Sequence, residues 1–149
     1  MKFFKKSLFF VLFIFLNLFT IISGLSGDET YNYYALEYFK KSLECLVTGE
    51  YNKAINYCNQ VIIRDPKSAV TYTIRARAYF EKNDMNNAIK DCTQAINLDK
   101  SNISAYFIRG NAYAKEGNIN KAISDWQSVL RLDPENENAK HNIELARNS

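Results

Sequence analysis

Tyr38-x-x-Lys41-Ser42, Tyr72-x-x-Arg75-Ala76 and Tyr106-x-x-Arg109-Gly110 are one motif written three times, 34 residues apart. Other positions repeat at the same interval. Cys45, Tyr79 and Tyr113 fall in phase, as do the turn residues Gly49, Asn83 and Gly117. So do Asn52, Asn86 and Asn120, and the alanines Ala54, Ala88 and Ala122. Cys58, Cys92 and Trp126 follow, and each copy closes on Asp65-Pro66, Asp99-Lys100 or Asp133-Pro134. A fixed period of this length marks a stacked array in which each unit buries its apolar face against the next.

Within each copy the pattern is helical. Leu36, Phe39, Leu43, Leu46 and Val47 recur at intervals of three and four, the spacing of one helix face. Gly49 is expected to stop that helix, because glycine tolerates the left-handed conformation past a helix end. Asn52 is expected to cap the next helix, which carries Ala54, Ile55, Cys58, Val61 and Ile62. Pro66 ends the unit by excluding its predecessor from helical geometry, and Ser68 caps the helix that restarts the cycle. Residues Leu25 to Thr30 read as a short polar joint.

Outside the array, Met1 to Gly24 has Lys2, Lys5 and Lys6 followed by an apolar run from Leu8 to Ile22 and the small residues Ser23, Gly24 and Ser26. That is the order of a signal peptide, and the run is short of the roughly 20 residues of a membrane span. An uncleaved anchor is the alternative, because Ile22 is a poor match to the usual cleavage site. In either case the lysines stay cytoplasmic and the repeats lie outside the inner membrane. The net charge of +3 comes from the three leader lysines, and the remaining 16 basic residues face 16 acidic ones. The electrostatic footprint of a nucleic-acid binder is therefore absent.

The repeated residues resemble the tetratricopeptide repeat family over Ala35 to Asn136. The family places a large residue in helix A with a small one four positions later, here Tyr38 with Ser42, Tyr72 with Ala76 and Tyr106 with Gly110. Its helix B alanine is Ala54, Ala88 and Ala122. This chain departs from the family at Cys45, where an aromatic is usual, and at Lys100, where proline is. The resemblance implies an all-α superhelix of three helix-turn-helix repeats, 35–68, 69–102 and 103–136, after a leader (1–24) and a lead-in segment (25–34). A closing helix over 137–149, capped by Asn136 with Ala139, Ile143 and Ala146 on one side, resembles the solvating helix that ends such arrays.

The resemblance also implies a partner-binding groove lined by helix A side chains. Carried over by phase, it comprises Leu36, Phe39, Leu43 and Leu46, then Val70, Thr73, Arg77 and Phe80, then Ser104, Phe107, Asn111 and Lys115. It grades from apolar to polar. Alternatively, Asp28 to Tyr34 covers Leu36, Phe39 and Leu43. Some family members grip a terminal carboxylate of heat-shock chaperones with basic and amide side chains. Phe39, Leu43, Ile74, Ser104 and Ile108 stand at those positions and cannot do so.

Nothing in the sequence supports catalysis. His141 is the single histidine, and no zinc-protease, phosphate-loop or serine-hydrolase motif is present. Cys45, Cys58 and Cys92 lack metal-ligand spacing and fall at core phases, so no metal site and no cofactor is expected. Cys45 and Cys58, on facing helices, are the one pair to test for a disulfide. The expected function is a non-enzymatic, extracytoplasmic protein-binding module, periplasmic or secreted, acting as an adaptor or envelope assembly factor. The rival expectation is a membrane-anchored spacer or a self-associating homo-oligomer, touching the membrane only through an uncleaved leader.

Overall fold

In a computed structural model of the chain, residues 27–148 are described, with side chains from Tyr33 onward. They form α1 (Gly27–Val47), α2 (Tyr51–Arg64), α3 (Ala69–Glu81), α4 (Met85–Leu98), α5 (Ile103–Lys115), α6 (Ile119–Leu132) and α7 (Glu137–Asn148), with no strand among the described residues. The expected leader, 1–24, lies outside them. Successive helices pack as antiparallel pairs, α1 on α2, α3 on α4 and α5 on α6, and each pair stacks on the next. The molecule is thus the all-helical repeat superhelix that the period implies.

Close approach within a pair requires small side chains at the crossing. Ser42, Ala54, Ala76, Ala88, Ala112 and Ala122 are all fully buried there. The turns inside the pairs use the left-handed backbone region at matching positions, with φ of +78° at Gly49, +62° at Asn83 and +77° at Gly117. Asparagine is the ordinary substitute for glycine in that conformation. Between pairs, Ser68 accepts from the Thr71 amide at 3.4 Å, and Asn102 accepts from the Ala105 amide at 3.0 Å. Asn136 accepts from the Ala139 amide at 3.1 Å, the cap expected for the closing helix. Ala139 and Ile143 of α7 then join Ala122, Trp126 and Val129 in one apolar cluster.

Three expectations are corrected. Asn52 is not a cap: α2 starts at Tyr51, so the capping position is Glu50, whose side chain makes no cap bond. The turn after Gly49 is two residues shorter than a cap at Asn52 implies, which draws Asn52 into the helix. In the next repeat the same position is Asp84, which accepts from the Asn87 amide at 3.2 Å. The polar joint is shorter than expected too, because α1 is continuous from Gly27. A segment in line with Leu36 on one helix cannot fold back over it, and Leu36 and Leu43 are exposed. In keeping with their core phases, Cys45, Cys58 and Cys92 are all buried, and all are free thiols. Cys45 packs against Ala54, Ile55 and Ala78, while the Cys58 thiol sits against the Ser42 hydroxyl. Burial pushes Cys58 up to about 11 and raises Cys92 as well, which leaves both poor nucleophiles.

Candidate functional site

The first helices of the repeats, α1, α3 and α5, also touch one another across the pairs. Their free faces form the inner wall of the array, and two clefts open on it. The first is about 330 Å³. Leu46 from α1, Ile74 from α3, and Ile103, Phe107 and Ile108 from α5 make it apolar, while Thr73, Arg77, Ser104, Asn136 and Asn138 supply the polar atoms. Most of those atoms are already engaged. The Thr73 hydroxyl donates to the Ala69 carbonyl at 3.0 Å and accepts from Asn102 at 2.9 Å. Arg77 pairs with Glu81 at 2.6 Å, one turn along α3. The cleft therefore presents apolar surface with little net charge.

The second cleft, about 450 Å³, lies between α3, α5, α6 and α7. Phe80, Ala114, Ile119, Trp126, Leu145 and Ala146 line it with Asn111, Lys115 and Asn142. Trp126 Nε1 and Asn142 Nδ2 both donate to Asn111 Oδ1, at 3.0 and 3.1 Å. That fixes the amide, because only the oxygen can accept twice. Lys115 Nζ stands 4.4 Å from the centre of the Phe80 ring.

Of the groove residues expected from the sequence, Leu46, Thr73, Arg77, Ser104 and Phe107 meet in the first cleft, and Phe80, Asn111 and Lys115 meet in the second. Leu36, Phe39, Leu43 and Val70 line neither. Leu36 and Leu43 are exposed on α1 and Phe39 is half-buried. Residues from the closing helix were missed. Asn138, Asn142 and Leu145 stand 34 positions after Ser104, Ile108 and Asn111. Extending the period by one more half-repeat places them on the inner wall.

Beneath the clefts the stack is tied by charge. Arg75 chelates Asp91 through Nε and Nη2, at 2.6 and 2.7 Å, and Arg109 does the same to Asp125, at 2.8 and 2.7 Å. Each aspartate belongs to the arginine's own repeat. Each arginine also reaches back to the preceding one, Arg75 Nη1 to Asn59 at 2.6 Å and Arg109 Nη1 to Thr93 at 3.1 Å. The hydrogen bonds to Asp125 raise Arg109 above its usual pKa; burial opposes the charge of Arg75, but Asp91 more than offsets it. These guanidinia are thus committed between helices rather than to the clefts.

Family models described as TPR repeat and tetratricopeptide repeat match residues 76–117 and 103–136. The first TPR of Spaghetti (RPAP3), bound to the HSP90 peptide SRMEEVD, is 31% identical with a TM-score of 0.75, over 76% of this chain and 90% of that one. The chain belongs to the tetratricopeptide repeat family. The second TPR domain of human RPAP3, in complex with the HSP70 peptide SGPTIEEVD, is 32% identical to this TPR array at a TM-score of 0.74, covering 78% and 98% of the two chains. The Arabidopsis OM64 TPR domain is 29% identical at a TM-score of 0.77, over 79% and 98%. No curated protein sequence gives a match.

Proposed function

We propose that this TPR array is an extracytoplasmic interaction module that holds an apolar segment of a partner protein along α1, α3 and α5, as an adaptor or assembly factor of the cell envelope. The first cleft carries this reading. Leu46, Ile74, Phe107 and Ile108 leave an apolar recess on the inner wall, and its one guanidinium is already neutralised by Glu81. Two related TPR domains are bound to peptides, which supports a peptide here. Those peptides end in EEVD. Ile74 and Ile108, both buried, stand where a carboxylate grip would need donors, so the partner segment here is apolar rather than acidic.

Selection from a displayed random-peptide library should return sequences with apolar anchors. Phe107→Glu should weaken them by about tenfold or more, roughly the effect of 1.4 kcal/mol, and SRMEEVD should bind more weakly than the selected peptides. Selected peptides indifferent to Phe107→Glu, or an SRMEEVD peptide that outcompetes them, would remove this reading. The extracytoplasmic placement rests on the lysine-flanked apolar run of the leader. Mass spectrometry of the chain recovered from envelope fractions should find a mature N-terminus near Leu25; a chain retaining Met1 would favour the anchored spacer.

A further inference from the structure

The first helix and the C-terminal part of the inner wall carry complementary surfaces. On α1, Leu36, Lys40, Leu43 and Val47 follow one another at intervals of four, three and four, which puts them on one face. That face is open, with Val47 87% exposed and Leu36 and Leu43 exposed beside it. On the inner wall, the second cleft offers Phe80, Trp126 and Leu145, with Leu145 56% exposed at its rim. Charges match as well. Glu44 and Lys40 on α1, and Lys115 and Glu144 at the far end, have no ion-pair partner among the described residues, although Lys41, Arg77 and Lys140 nearby all do.

We propose that a second copy of this chain occupies the cleft. The α1 face of one molecule seats Leu43 and Val47 against Phe80 and Leu145 of the next, with Glu44 meeting Lys115 and Lys40 meeting Glu144. Lys115 already stands over the apolar wall at Phe80, so its ammonium lies where an incoming glutamate beside an apolar stripe arrives. The contact is head to tail, and each end is used once. It therefore propagates into rings or filaments rather than closing as a two-fold dimer. This inference does not depend on the peptide reading of the first cleft.

The test uses the full chain in two forms that each add one exposed cysteine, Val47→Cys and Leu145→Cys, treated with a short bis-maleimide. The native cysteines are buried and stay unreacted. A mixture of the two forms should give a cross-linked dimer, and each form alone should give little. A chain carrying both substitutions should give a ladder. Lys115→Glu in the Leu145→Cys chain should lower the mixed dimer by about tenfold, and Glu44→Lys in the Val47→Cys chain should restore it. Cross-linking of Val47→Cys alone would mean a two-fold α1 pairing and overturn the head-to-tail contact. Absence of the mixed dimer, or charge reversals without rescue, would overturn it too.

Discussion

Gly110→Ala will destabilise the array by about 1–3 kcal/mol in urea unfolding, the usual result of forcing a methyl group into a filled core. A Cβ at position 110 would stand 2.7 Å from Trp126 Nε1, 2.9 Å from its Cδ1 and 3.3 Å from the Ala122 carbonyl oxygen. The indole cannot readily retreat. It is nearly buried, and its Nε1 donates to Asn111 at 3.0 Å. The earlier repeats solve the same crossing with the sizes divided differently, Ser42 facing helix B residue Cys58 and Ala76 facing Cys92. In a Trp126→Cys background, the same Gly110→Ala change should become neutral or stabilising by about 0.5–1 kcal/mol, because alanine outperforms glycine inside a helix when nothing is in its way. The inversion of sign between the two backgrounds is the decisive observable. A loss of equal size in both would mean that the crossing does not set the residue at 110.

Much of this architecture is legible in the sequence because it is periodic. Gly49, Asn83 and Gly117 announce the turns, and each takes the left-handed backbone that their residue types permit. The buried small residues also fall where the period puts them. Features that depend on distance are not legible in this way. Gly110 and Trp126 are both plain in the sequence, but only the structure shows that they touch. The chain start of α1 was missed because nothing between Gly27 and Thr30 forbids helix. Asn52 misled because asparagine is a good cap, while the tight turn spends two residues fewer than a cap there implies. The groove was read one helix short. Reading α7 only as a solvating closing helix hid the fact that Asn138, Asn142 and Leu145 keep the phase of Ser104, Ile108 and Asn111 and complete the walls of the two clefts. The exposed stripe of α1 was legible as apolar, but its separation from the clefts was not.

The co-occurrence of Arg75 with Asp91 and of Arg109 with Asp125 is the case where a sequence pattern carries an energetic prediction. Repeat one has Lys41 and Tyr57 at these positions, and Lys41 turns instead to Glu37 at 2.7 Å. In the third repeat the pair is largely hidden, with side-chain exposures of 17% for Arg109 and 7% for Asp125. Removing one member strands the other in a poorly solvated site, so Arg109→Met should cost about 3–5 kcal/mol, well beyond the 0–1 kcal/mol of an exposed ion pair. Asp125→Asn should cost less, since an amide oxygen still accepts one of the two hydrogen bonds. The double variant Arg109→Met with Asp125→Asn should lose less than the two singles together, by about 0.5–3 kcal/mol, because the second change removes a group that the first had already stranded. At about 1 M salt, where charges are screened beyond roughly 3 Å, the coupling should persist. Lys140 with Glu137, more exposed and 2.8 Å apart, should show none. Since Arg109 also reaches Thr93 in the preceding repeat, part of the loss falls on the contact between repeats, and the unfolding of repeat two should shift with it. Strict additivity of the two single changes would mean that the chelate contributes nothing to the stack, and would free both arginines to be read as ligand contacts.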